Sequence, residues 1–156
     1  MKLFFKFCDM TDKFITFLVV SLLFLLSILL FTAVIYRYIL NDSIYWSGEV
    51  ARYMLAYIVF LGSTIAHKSK HHIRIDIIFA YISKRCLKCI DIFISIFFLM
   101  FWSIVLWGSY KLFPLFMMQT TATLDIPYAY AFAALPLSAI IWIMYSIEDF
   151  LKVIKR

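Results

Sequence analysis

Apolar residues in this chain run in long blocks, not in the alternating or one-faced patterns of a water-soluble fold. Four blocks stand out: Phe14 to Tyr36 with no charge inside it, Trp46 to Ala66 with Glu49 and Arg52 near its start, Leu87 to Tyr110, and Ile126 to Ile147. A bilayer core about 30 Å thick takes about 20 residues of helix, and a backbone in lipid has to satisfy its own hydrogen bonds. The pattern therefore predicts an all-α membrane protein. Residues 1–156 form one integral membrane domain with spans at about 14–36, 46–66, 87–110 and 126–147.

Two shorter features qualify this plan. The first block follows Lys2, Lys6 and Lys13 as a secretory signal would, but it exceeds a signal h-region and no A-x-A cleavage site follows, so a retained helix is expected. The stretch 73–83 is too short to span. Its period is two at Ile73, Ile75 and Ile77 and then lapses, which leaves strand and helix open on periodicity alone. Beside a bilayer a short interfacial helix between the second and third spans is expected, because an unpaired strand would leave its backbone groups unsatisfied.

Composition agrees with this class. Hydrophobic residues make up 65% of the 156 and mean hydropathy is +0.96, against about 45–50% apolar content in soluble domains. A soluble globule of this size could not enclose so much apolar surface, and a disordered chain needs the opposite bias.

The formal charge of +6 raises the question of nucleic acid, and the placement of the charges answers it. Lys2, Lys6 and Lys13 precede the first span. Lys68, Lys70, Arg74, Lys84, Arg85 and Lys88 lie between the second and third, and Lys152, Lys155 and Arg156 follow the fourth. The alternate loops hold one cation each, Arg37 and Lys111. The positive-inside rule then places both termini and the central loop in the cytoplasm. Arg37 and Lys111 are balanced by Asp42 and Asp125, and Arg52 by Glu49, so the net charge is all cytoplasmic. It acts as a topology signal with some attraction to anionic lipid headgroups, about 1 kcal/mol per near-surface cation. No basic-aromatic module for nucleic acid is present. Tyr36, Tyr38, Tyr45, Trp46, Trp107, Tyr110, Tyr128 and Tyr130 fall at the outer span ends as an interfacial belt.

Candidate chemistry is sparse. Ion and proton paths need ionisable side chains or broken helices near the midplane, and the central parts of all four spans hold no Asp, Glu, His, Lys or Arg. Pro136 is expected to kink the fourth span. Cys8, Cys86 and Cys89 fall on the reducing side, so no disulfide framework is expected. His67, His71 and His72 with Cys86 and Cys89 make an irregular set among cations, which argues against zinc in favour of solvated loop histidines and inert thiols. A bis-histidine haem subunit would need His on facing helices, and a disulfide-generating enzyme would need Cys pairs on the oxidising side. No cofactor or metal is expected.

Glu49 and Arg52 share a helix face at i,i+3, with Arg52 roughly 9 Å below the interface at 1.5 Å per residue. Two readings stand. Either Arg52 snorkels outward with Glu49 as its intrahelical partner, or it makes a polar contact with another subunit. Small residues at Gly62, Ser63 and Ala66, and at Ala129, Ala133, Ala134 and Ser138, suit close helix packing in lipid.

Several short motifs occur in order: Arg37-Tyr-Ile-Leu-Asn41, Trp46-Ser-Gly-Glu49-Val-Ala-Arg52-Tyr53, Phe60-Leu-Gly62, His72-Ile-Arg-Ile-Asp76, Leu124-Asp-Ile-Pro127 and Leu135-Pro136. Over roughly residues 36–79 and 123–137 the chain resembles the small membrane subunit (DctQ-like) of tripartite ATP-independent periplasmic (TRAP) transporters. Gly48 stands where many members carry a second acidic residue, Lys70 where a Gly is common, and Ser138 where a Gly often follows Leu-Pro. The resemblance implies a large membrane transport subunit that moves an organic acid with sodium, a periplasmic substrate-binding protein that delivers it, and a small subunit that braces the large one in the bacterial inner membrane. It further implies that Arg37, Trp46, Glu49 and Arg52 organise the outer end near partner surfaces while His72 and Asp76 fix the inner loop. Two other classes compete: a four-helix membrane enzyme using glutathione or a similar anionic cofactor, and a homo-oligomeric channel, which would need a polar stripe that the spans lack.

Overall fold

The computed structural model describes residues 2–73 and 84–155. Helices α1 (Lys2–Tyr38), α2 (Ser47–Ile73) and α3 (Lys84–Met118) are followed by a single turn, α4 (Ala129–Phe132), and by α5 (Ala134–Lys155). Four stretches, Leu3–Tyr38, Ser47–Ser69, Cys89–Met118 and Ala129–Val153, are long and apolar enough to cross a membrane. The four-span all-α architecture expected from the apolar blocks is therefore present. The short interfacial helix expected within 73–83 falls on residues 74–83, outside the described residues.

The helices continue past the apolar blocks because helix-forming polar residues extend them at the ends. α1 starts within the Lys- and Asp-bearing N-terminal segment and stops where Asn41 turns the chain at a φ of 51°. That left-handed conformation is one that Asn tolerates. The amides of Ile39 and Asp42 close the end by donating to the carbonyls of Ile35 (2.9 Å) and Tyr36 (3.2 Å). α3 runs through Pro114 to Met118. The last span has one interruption. Pro136 has no N–H for the carbonyl four residues earlier, and the regular helix lapses for one residue at Ala133, which keeps helical dihedrals (φ −58°, ψ −24°). Pro136 thus sits in the first turn of α5, within one continuous span.

Packing follows an order the chain order does not suggest. α1 packs on α2, α2 on α5 and α5 on α3, while α1 meets α5 only lightly and α1 and α3 do not pack among the described residues. The result is an open row, α1–α2–α5–α3, with α5 inside it. Small side chains make that central position possible: Ala134, Ser138 and Ala139 are fully buried and let neighbouring backbones approach. At Gly62 an added Cβ would lie 3.9 Å from Val19 Cγ1, an ordinary contact, so no close approach is forced there. α1 and α3 instead turn large apolar side chains outward, among them Phe17, Phe24 and Phe31 on α1 and Phe93, Ile104 and Trp107 on α3. Ser and Thr hydroxyls within the spans donate back to carbonyls three or four residues earlier, as Thr64 does to Leu61 (2.7 Å) and Ser103 to Leu99 (2.7 Å), which satisfies them locally in lipid.

One aromatic block ties three helices together. Trp142 of α5 stacks on Trp102 (5.0 Å between ring centres) and lies against Phe98 of α3 and His67 of α2. Its indole N–H donates to Ser63 Oγ at 3.1 Å. Trp142→Ala is expected to cost about 3 kcal/mol or more, read as an earlier midpoint when the folded protein is titrated from mild detergent into SDS. An unchanged midpoint would show that the block is not structural.

Candidate functional site

The polar side chains gather at the two ends of the row. At the hairpin end, residues 119–128 leave α3 and return to α4 through a tight reversal. The Thr121 amide donates to the Ile126 carbonyl (3.0 Å), the Tyr128 amide donates to the Gln119 carbonyl (2.9 Å), and Thr120 and Pro127 form an antiparallel bridge. Asp125 makes the reversal at a φ of 52°.

α2 holds this hairpin along one face. Glu49, Tyr53 and Tyr57 recur at i, i+4 and i+8, which stacks them above one another. The Glu49 carboxylate is buried and accepts the amides of Thr123 (Oε1, 2.9 Å) and Leu124 (Oε2, 3.1 Å). Tyr53 directs its hydroxyl at the carbonyls of Ile126 (3.2 Å) and Pro127 (3.1 Å), and Tyr57 donates to that of Tyr130 (2.8 Å). The carboxylate therefore meets the hairpin's free N–H groups, and Tyr53 adds a second donor to the Ile126 and Pro127 carbonyls, which already accept the amides of Thr121 and Tyr130. Glu49 also lies in the first turn of α2, where a carboxylate is favoured by the helix dipole.

This arrangement separates Glu49 from Arg52. The intrahelical pair considered in the first reading does not form, because the carboxylate faces the hairpin while the exposed Arg52 donates from Nε to the Gly48 carbonyl at 3.2 Å. Arg37, in the last turn of α1, lies 5.6 Å from the centre of the Tyr38 ring. Trp46 caps α2 through its carbonyl, which accepts the amides of Glu49 (3.1 Å) and Val50 (3.2 Å). Pro127 belongs to the clamp through its carbonyl and its bridge. Pro136 lines an open cavity on α3, and Gly62 stands near Val19. His72 lies in α2, and its pairing with Asp76 falls outside the described residues.

At the other end, where the chain termini lie, His67 is not a solvated loop residue as expected. It belongs to α2, its Nε2 is 3.0 Å from Asp149 Oδ2 of α5, and its ring packs on Trp142 and Phe98. Lys68 pairs with Asp9 of α1 at 2.8 Å, and Lys152 with the buried Glu148 at 2.6 Å. Cys8 is buried at this end, whereas Cys89 is exposed. Sequence reasoning missed Tyr53, Tyr57, Thr123, Leu124 and Asp149, and it misplaced His67. The four-residue spacing of Glu49, Tyr53 and Tyr57 was a signal for the first two, but the amides that Glu49 receives carry no sequence signature.

Glu49→Gln keeps the shape and one acceptor oxygen but turns its NH2 donors toward one of the two N–H groups, so about 2 kcal/mol of clamp stability should go. Amide hydrogen exchange at Thr123 and Leu124 should then accelerate about 30-fold, and unchanged exchange would remove the clamp from the account.

The family profile described as "Tripartite ATP-independent periplasmic transporters, DctQ component" matches residues 26–156. The chain is 32% identical over 130 residues to the "Isethionate TRAP transporter permease protein DctMQ" of Oleidesulfovibrio alaskensis, covering 78% of this chain and 20% of that protein. It is 32% identical over 78 residues to the "C4-dicarboxylate TRAP transporter small permease protein DctQ" of Vibrio cholerae, covering 50% of this chain and 34% of the relative. It is 26% identical over 152 residues to a "Putative TRAP transporter small permease protein" of Haemophilus influenzae, covering 94% and 92% of the two chains. Over its matched region the chain spans less than half the length of the first of these relatives, 20% for one and 34% for the other. With four membrane-spanning helices and this match over most of its length, the chain belongs to the DctQ component family of TRAP transporters, a family of transporter components and not of enzymes.

Proposed function

We propose that the chain is the small permease subunit of a TRAP-type secondary transporter. It braces a large transporting subunit for sodium-coupled uptake of organic acids, carboxylates in particular, delivered by a periplasmic binding protein. It acts as one integral unit in the bacterial inner membrane with both termini in the cytoplasm, and it neither binds a cofactor nor carries the solute itself.

The observation that carries this reading is the open row within a member of this family. Four helices in a row leave two broad apolar faces, and the charged residues of the spans lie toward the ends, with none of Asp, Glu, Lys or Arg in 14–36, 53–66, 92–110 or 126–147. Such a slab has no ionisable midplane group for a solute or coupling ion, yet offers much area to a neighbour. The DctMQ relative supports a large partner, since the matched region is a fifth of one longer permease chain. The names of two relatives refer to isethionate and C4-dicarboxylate, both organic anions. Arg37, Trp46 and the exposed Arg52 sit at the hairpin end as candidate partner contacts, with the Glu49 clamp as their support.

In proteoliposomes, small subunit, large subunit and binding protein together should take up a dicarboxylate with an inward sodium gradient, and omission of either membrane subunit should abolish it. Transport by the small subunit alone would overturn the proposal. Arg52→Leu should lower recovery of the complex; normal assembly and uptake would mean that Arg52 only snorkels. For orientation, single cysteines at Asn41 and Ala122 should react with a membrane-impermeant maleimide on spheroplasts, and Cys89 only after lysis.

A further inference from the structure

The face between α3 and α5 holds an open cavity of about 770 Å³. Leu106, Trp107, Phe113 and Pro114 of α3 and Pro136 of α5 make its apolar wall, and Tyr110 and Lys111 stand at its polar corner. The Lys111 side chain folds back along α3 so that Nζ lies 3.9 Å from the centre of the Trp107 ring, four residues earlier. That contact holds the ammonium at the cavity wall. It compensates only part of the ammonium's charge, and among the described residues no carboxylate lies within 4 Å of it. Pro114 lacks the N–H that would meet the Tyr110 carbonyl, which leaves an acceptor there for a donor such as the ammonium of an ethanolamine headgroup.

A ligand suited to this groove is anionic at one end and alkyl along the rest. A transmembrane helix is a poorer fit: about 11 Å across, it would fill 770 Å³ in about 8 Å of length, little more than one turn. An acyl chain, one methylene wide, enters lengthwise. We propose that this groove is a phospholipid site, with the phosphate on Lys111 and one acyl chain lying along Leu106, Phe113 and Pro136.

The full chain reconstituted in phosphatidylcholine vesicles containing phosphatidylethanolamine with a photoactivatable acyl chain tests this. Cross-links mapped by peptide mass spectrometry should concentrate on residues 103–114 and around Pro136, above the level found on the lipid-facing α1 positions Phe17 and Phe24. Lys111→Gln should reduce the groove signal about fivefold relative to α1, Lys111→Arg should retain it, and Leu106→Trp should reduce it by filling the groove. Should the Leu106 variant fail to fold, the Lys111 pair decides. Groove labelling no higher than α1, or unchanged in Lys111→Gln, would overturn the site. So would labelling that vanishes when the large subunit is added, because the groove would then seat that subunit.

Discussion

A polypeptide in lipid has no water to complete its hydrogen bonds, so each backbone group that leaves a helix at membrane depth needs a partner within the protein. The same need holds where protein buries part of a reversal at a span end, as in the hairpin of residues 119–128 between α3 and α4, whose Thr121 and facing Glu49 are buried. Its amides at Thr123 and Leu124 end on the two oxygens of Glu49, and its carbonyls at Ile126 and Pro127 on the hydroxyl of Tyr53. Without Glu49 the reversal would leave the Thr123 and Leu124 amides unpaired. With Glu49 and Tyr53, α2 becomes the strut against which the second half of the chain is positioned, and α5 is led into the row beside it.

Burial of the carboxylate carries an electrostatic consequence. A charge removed from water is tolerated when its lone pairs are filled, and two amide donors together with the start of the α2 dipole fill and complement those of Glu49. Arg52 is therefore released from its nearest acid and faces outward beside Leu55 and Val59, which are also exposed. At the opposite end the acids and bases are shared between helices, His67 with Asp149 and Lys68 with Asp9, which ties α2 to α5 and to α1.

An open row has a different economy from a closed bundle. Only α2 and α5 have a helix on each side, and the small residues and aromatic block of α5 carry much of the internal packing. α1 has almost no buried side chains beyond Cys8 and Ile15. Lipid and protein surfaces are equally apolar, so the hydrophobic effect does not close such a row; shape and polar contacts decide what covers it.

Block length and charge asymmetry made four spans legible, because lipid demands about 20 apolar residues per helix whatever the neighbours are. The end-lying charges and the family motifs around Trp46, Glu49 and Pro127 were legible for the same local reasons. Helix ends were less so: α3 continues past Lys111 because a cation near a span end does not stop a helix, and the regular helix of the last span lapses at Ala133, near its start. The partners of Glu49 and His67 were out of reach, since Thr123, Leu124 and Asp149 lie more than 70 residues away along the chain. By itself, then, the sequence determined that the chain is a four-span membrane protein with its charge at the span ends. Only the tertiary structure decided that the helices stand in the order α1–α2–α5–α3 and that Glu49 serves the hairpin and not Arg52, because hydropathy acts along one helix while packing and hydrogen bonds act between helices distant in sequence.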